Sequence, residues 1–287
     1  MRVFNLLLCA SALSAQSPAI RWLGDPPASG GIQWLVVVPA GAADTVIGRF
    51  DGAPVVFNRA GDVWTALAPV RIESRDVARA TVTVHRGRQR VEVTEQLPVA
   101  GRTFRQSHLS VDPQFTTTPT GALAERIARE RELAAGLGAA ALATPRLFEE
   151  AFVAPRADRI TSEFGVGRTF NGEVRSRHYG VDFDGNIGDD VRAANRGVVM
   201  LVGDFYYSGR IVYINHGAGL VTAYLHMSET LVSEGDSVIA GQLIGRVGQS
   251  GRVTGPHLHW AVRVGDRLVD GTALLALPGP IEVAATR

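Results

Sequence analysis

Short β-branched runs separated by turn residues fill this 287-residue sequence on both sides of one stretch with helical periodicity, so the chain has to build its cores from sheets. From about Ile32 to Val111 the runs come at the spacing of an all-β sandwich, as in Ile32 to Val38, Pro54 to Phe57, Ala80 to Val84 and Arg90 to Val93. Alternation in Thr81-Val82-Thr83-Val84 and in Arg90-Val91-Glu92-Val93 gives one apolar and one polar face, which predicts a half-exposed antiparallel sheet. His85 and His108 fall here without other metal-ligating side chains and read as turn or surface residues. Residues 112–121 are rich in Thr and Pro. Beyond them Leu123, Ile127, Ala134, Leu137 and Ala141 recur at helical intervals and Glu125 can pair with Arg129, which predicts a helix over 121–142. Pro145 and Pro155 bracket its exit. From Ile160 onward glycine-bearing turns join further strands, including Gly197 to Val202, Ile211 to Asn215 and Leu220 to Leu225. A second all-β domain is expected there.

The length suits two domains, each able to bury its own core. The expected division is a leader over 1–15, an N-terminal β-sandwich-like domain over 16–112, a helical connection over 113–155 and a second domain over 156–287. In the leader, Arg2, the apolar run Val3 to Ala12 and the small residues up to Ala15 have the pattern of a secretory signal peptide. Leu7 and Leu8 stand before Cys9 where a lipidation site would have small residues, so no lipid anchor is expected. An apolar run of about ten residues is half of the roughly 20 needed to span a bilayer, so no stable membrane insertion is expected. Cys9 is the only cysteine. An exported chain without it has no thiol, and must hold any metal with His and carboxylates. The 29 basic residues are all arginine, against 28 acidic ones. They are dispersed, with only short clusters such as Arg86, Arg88 and Arg90, which excludes a nucleic-acid footprint.

Five of the seven histidines lie in the second domain. His257-Leu258-His259 runs into Trp260-Ala261-Val262, a strand in which residues two apart face the same side with α-carbons about 6.6 Å apart. One imidazole can bind a metal while its neighbour stands beside the open coordination position. In His178-Tyr179-Gly180-Val181-Asp182, an ideal strand would hold the first and last residues about 13 Å apart, too far to share an ion. The segment must bend, and Gly180 permits it. Two His and one Asp leave a fourth tetrahedral place for water, the pattern of catalytic zinc. His226 closes a strand in Tyr224-Leu225-His226-Met227, where neutral imidazole could accept a proton or stabilise an oxyanion.

His178-x-x-x-Asp182, His226 and His257-x-His259, in this order, resemble the lysostaphin or LytM type of zinc metallopeptidases. The resemblance takes in Thr161-Ser162-Glu163-Phe164-Gly165, Gly197-Val198-Val199, His216-Gly217-Ala218-Gly219-Leu220 and Gly235 to Gln242. It implies a lipoyl/barrel-like antiparallel β peptidase domain in a mainly β chain, with one linking helix. It further implies one zinc ion on His178, Asp182 and His259, and His226 with His257 as the catalytic pair. The implied activity is that of an exported endopeptidase, periplasmic or extracellular, hydrolysing peptide bonds in peptidoglycan crosslinks through a zinc-activated water. Peptidoglycan peptide stems are the implied partners, and the expected state is a monomer. The N-terminal β-rich segment resembles the leader domain of secreted members.

One departure stands out: the family's small-residue and proline stretch after the aspartate is here the more acidic Asp184-Gly185-Asn186-Ile187-Gly188-Asp189-Asp190. Asp182-x-Asp184-x-Asn186 begins like a calcium loop, but position six is Ile187 and position twelve is Ala193. Gly248-Gln249-Ser250-Gly251 lacks the spacing of a nucleophile elbow and reads as a turn. Glu234 to Gln242 resembles the hairpin of a lipoyl carrier, yet the chain has no lysine to modify. The alternative of another class is a non-catalytic wall-binding or amidase-activating module of the same fold, which would lack stoichiometric zinc.

Overall fold

A computed structural model of the chain describes residues 17–172 and 174–285. The expected signal segment, with Cys9, lies outside the described residues. The protein is mainly β. Its N-terminal part is a sandwich of two four-stranded sheets, one ordered Ala19–Trp22, Ile32–Val38, Val63–Pro69, Asn58–Ala60 and the other Ala53–Val55, Thr45–Phe50, Val77–Arg86, Gln89–Pro98. All their pairings are antiparallel. Val82 and Val84 alternate inward, while Thr81 and Thr83 face outward across from Thr94 and Glu92. The run expected from Pro54 to Phe57 breaks after Val55, because the buried Phe57 ring turns into the core before the short strand Asn58–Ala60 begins. His85 and His108 sit on strands, in Val77–Arg86 and Gln106–Leu109, rather than in turns.

The strand Ile32–Val38 is apolar except for Gln33 because most of it is covered on both faces. Leu35 and Val37 point into the sandwich with Phe50, Ala80 and Val82. Ile32 and Trp34 point the other way, into the core of the C-terminal part with Phe148, Phe164 and Trp260. Trp34 Nε1 donates to the Pro278 carbonyl at 2.9 Å, so the indole's one polar atom is satisfied inside that contact. Arg102 adds a 2.6 Å ion pair to the buried Asp270, which also caps the short helix Gly271–Leu275.

The C-terminal part is built on one large antiparallel sheet, ordered Ile160–Ser162, Val181–Asp184, His257–Val264, Leu220–Met227, Gly209–Gly217, Gly197–Phe205, Ser237–Val238. Pairing of Val181–Asp184 with His257–Val264 sets Asp182 directly opposite His259, and the next pairing sets Leu225 opposite His259 on the other side. The register therefore brings residues distant in sequence to one point.

The helix Gly121–Leu142 lies against the strands Gly197–Phe205, Gly209–Gly217 and Leu220–Met227. Gly138 approaches the Gly265 carbonyl so closely that no Cβ would fit. The expected Glu125–Arg129 pair is long, 3.9 Å, and solvent-exposed, whereas Arg126 and Glu130 meet at 2.6 Å. Glu130 is tied further, accepting from the Tyr206 backbone at 2.9 Å. Arg263 reaches the Ala135 carbonyl, and by alternation it shares a face with His257, His259 and Ala261. The helix thus covers one end of that face and leaves the histidine end uncovered.

One strand crosses between the two parts. Gln106–Leu109, which precedes the helix, pairs in parallel with Gly167–Phe170, itself paired with Val174–Arg177. Gly165 and Gly167 make room for it: a Cβ at either would strike the Phe104 ring or the Gln106 side chain. Among the described residues no helix is long and apolar enough to cross a membrane.

Candidate metal centre and cleft

The backbone leaves strand geometry between Arg177 and Val181 and bends at Gly180, which folds His178 back over Asp182. The glycine serves more than flexibility, because its φ is not in the left-handed region. A Cβ there would collide with His259 Nε2 and lie 2.7 Å from the Trp260 carbonyl. Close approach, rather than the bend alone, requires the missing side chain.

His178 Nε2, Asp182 Oδ1 and His259 Nδ1 form a triangle with edges of 2.8, 2.8 and 2.9 Å. His178 Nδ1 lies 2.7 Å from the Glu163 carbonyl, which fixes its proton there and turns the Nε2 lone pair toward the other two atoms. Three electron-pair donors then face one another. A bound cation would hold such a triangle together, and its edges are about half an ångström shorter than the roughly 3.3 Å of a tetrahedron with zinc–ligand bonds near 2.0–2.1 Å. The donor set fits zinc: no thiolate, two imidazoles, one carboxylate. Burial pushes the Asp182 carboxyl up, but its close contacts with His178 and His259 and any charge on those rings outweigh it and hold the group well below the usual carboxylate range. Burial, opposed by Asp182, lowers His259 to about 4. At neutral pH the acid is ionised and that imidazole neutral, the states that bind metal.

His226 and His257 stand beside this cluster. Their ring centroids are 5.0 Å apart, and His226 is 5.9 Å from the His259 ring. His226 occupies a left-handed conformation, φ 65°, unusual for a residue with a side chain. Its Nδ1 donates to the Ser250 carbonyl at 2.8 Å. His257 Nδ1 donates to the Gly255 carbonyl at 2.9 Å, and its Nε2 is 3.7 Å from Asp182 Oδ1. In either ring's neutral form, Nε2 is therefore the nitrogen left without a proton. Burial first, then the nearby His257 and His259, lower the His226 pKa well below its ordinary value.

The structure brings all five residues singled out from the sequence into one place. It also adds groups that spacing could not disclose. The turn at Ser250 is a buttress for His226: Ser250 Oγ accepts from the Arg210 amide and donates to the Met227 carbonyl, each at 2.9 Å. Arg168 NH2 meets the second Asp182 oxygen at 2.5 Å and Ser162 Oγ at 2.8 Å. The acidic stretch after Asp182 is organised by a buried arginine from the preceding connection. Arg156 donates to the carbonyls of Asp184 and Asp190 and pairs with Asp158 and Asp189 at 2.5 and 3.2 Å. Asp184 pairs with Arg159, and Asp190 with Arg192 and Arg246.

The cluster opens into a cleft of about 430 Å³. One wall comes from Thr254 to His257 and another from Arg105 to Val111, the segment around the crossing strand. Residues of the long helix do not line it.

Two imidazoles and a carboxylate thus converge beside two further imidazoles on one face of an antiparallel sheet, an arrangement that could hold a metal ion. The model of Peptidase family M23 matches residues 176–271, so the chain carries an M23 peptidase domain. Over 113 residues it is 42% identical to the peptidoglycan DD-endopeptidase ShyA of Vibrio cholerae serotype O1, a stretch covering 39% of this chain and 26% of ShyA. Over 122 residues it is 38% identical to the DD-carboxypeptidase/endopeptidase Mpg of Neisseria meningitidis serogroup B, covering 42% of this chain and 28% of Mpg. The chain thus spans about a quarter of the length of these curated relatives. A Pseudomonas aeruginosa crystal structure assigned to peptidase M23 is similar over both parts of the fold, with a TM-score of 0.65 and 27% identity, covering 87% of this chain and 94% of that one.

Proposed function

We propose that the chain is an exported zinc metalloendopeptidase that hydrolyses peptide bonds in peptidoglycan crosslinks, in the periplasm or outside the cell. The observation that carries this reading is the triangle of His178 Nε2, Asp182 Oδ1 and His259 Nδ1 beside the open Nε2 atoms of His226 and His257. The relatives named for peptidoglycan endopeptidase activity support the substrate class. When bound, zinc supplies a Lewis acid that polarises a peptide carbonyl and makes water more acidic.

The protein's own groups do the rest. Glu163 and Ser162 fix the His178 ring, and Arg168 holds the Asp182 carboxylate by its outer oxygen. His226 and His257, each anchored through Nδ1, offer Nε2 to the cleft as proton acceptors. Once protonated, either Nε2 donates to a developing oxyanion or to the departing amine. Digestion of purified sacculi with the zinc-loaded protein, followed by mass analysis, should release fragments cut within the crosslinking peptides. Intact sacculi under conditions where the protein is folded and zinc-loaded would overturn the proposal.

A further inference from the structure

Several arginines around the large sheet, Arg156, Arg159, Arg192 and Arg246 among them, meet carboxylates. The cleft gathers three arginines on its lining. Arg105, Arg168 and Arg252 line it, and of these only Arg168 has an acidic partner, Asp182. Among the described residues, Arg252 and Arg105 pair with no carboxylate. The one other acid on the cleft lining, Asp184, is engaged by Arg159.

Arg252 is not a loose surface side chain. Its guanidinium carbon lies 4.2 Å from the centroid of the Phe170 ring and 4.6 Å from that of Tyr207. Its backbone amide donates to the Tyr207 carbonyl at 2.9 Å. Two rings thus fix the plane of the fork, so little freedom remains to be lost on binding. Burial disfavours its charge, Tyr207 partly opposes this, and the nearby Arg168 adds to it. A half-buried, oriented guanidinium without a counter-ion is costly in itself, and a planar anion offered to its edge offsets that cost with paired hydrogen bonds.

We infer that Arg252, assisted by Arg105 from the crossing segment, is a specificity-determining subsite for a free carboxylate on the substrate peptide. The inference rests on the peptidase reading for the identity of the ligand as a peptide. It separates acidic peptide stems from amidated or glycine-only ones, a choice the zinc cluster cannot make. Arg168 remains a positioning residue for Asp182.

The test uses the zinc-loaded full chain and two probes: a peptidoglycan-derived tetrapeptide with free side-chain carboxylates, and the same peptide with those groups converted to carboxamides. Calorimetry should show the acid form binding the unmodified protein about tenfold more tightly, a preference that shrinks with added salt. Arg252→Gln should bring the two forms within about twofold of each other, Arg252→Lys should keep part of the preference, and Arg105→Gln should lower it about threefold. A thermal melt of each variant checks that the fold is retained, and the exposed Arg105 provides a variant that does not disturb the ring stack. An unmodified protein that binds both forms equally or neither, or an Arg252→Gln variant that keeps the full preference, overturns the subsite.

Crosslinked dimers in acid and amide forms then separate the two claims. Cleavage of both at equal rates sinks the carboxylate subsite and leaves the peptidase reading standing. Discriminating binding without cleavage of either supports the subsite and sinks the peptidase reading.

Discussion

The ring nitrogens of His178 and His259 face each other at 2.9 Å, and each lies 2.8 Å from the same oxygen of Asp182. Removing any corner leaves two ligands, too few for a stable zinc site. His259→Ala and Asp182→Asn should therefore lower zinc from about one per chain to near background, measured by elemental analysis after gel filtration, and abolish hydrolysis together with it.

His257 reaches toward Asp182 at 3.7 Å and is held by the Gly255 carbonyl. Its loss should spare the metal. His257→Ala is expected to retain stoichiometric zinc and lose about 10²–10⁴-fold in turnover, the range for a proton-transfer group. A variant with near-normal rates would remove His257 from the mechanism.

Gly180→Ala would push a methyl group into His259 Nε2 and toward the Trp260 carbonyl. The expected cost is about 1–3 kcal/mol of stability from overpacking. Displacement of the His259 ring should also weaken zinc binding roughly 10–100-fold, read by competition with a chromophoric chelator.

These positions also show how far the sequence could be read. The two-residue spacing of His257 and His259 dictates a shared face on any strand, and the four-residue spacing of His178 and Asp182 demands a bend. Both follow from local geometry. The reason for Gly180 was only half legible, because the collision is with a ring 79 positions away. Arg168, Arg252 and the Ser250 carbonyl carried no local signal at all. Each comes to the site only through tertiary contacts: Arg168 on Asp182, the Ser250 carbonyl on His226, and Arg252 on the rings of Phe170 and Tyr207. The acidic stretch after Asp182 is explained in the same way, by a buried arginine that composition alone could not connect to it.

That arginine gives a fourth prediction. Arg156 has a side chain only 5% exposed and bridges two backbone carbonyls and two carboxylates. Arg156→Met should cost about 1–3 kcal/mol in denaturant unfolding, since it leaves the carbonyls of Asp184 and Asp190 without their donor.

His216 is buried with Nδ1 on the Arg196 carbonyl and Nε2 2.8 Å from Thr222 Oγ1. Burial lowers its pKa from 6.5 to about 4. The unfolded chain therefore takes up a proton that the folded one refuses, and stability present above pH 6.5 is lost as pH falls toward 4. The loss from this one group is roughly 3 kcal/mol. Urea midpoints of the zinc-saturated protein should fall over that window, and His216→Gln should flatten the slope.

The crossing strand Gln106–Leu109 has a consequence for how such chains can be recombined. Its residues form a wall of the cleft, yet they lie on the far side of the helix from every histidine of the site. A chimaera joined near residue 155, the obvious seam between sandwich and peptidase domain, would set the histidine-bearing floor of one parent against the wall of another. A junction before Phe104 would keep floor and wall as a single inherited unit.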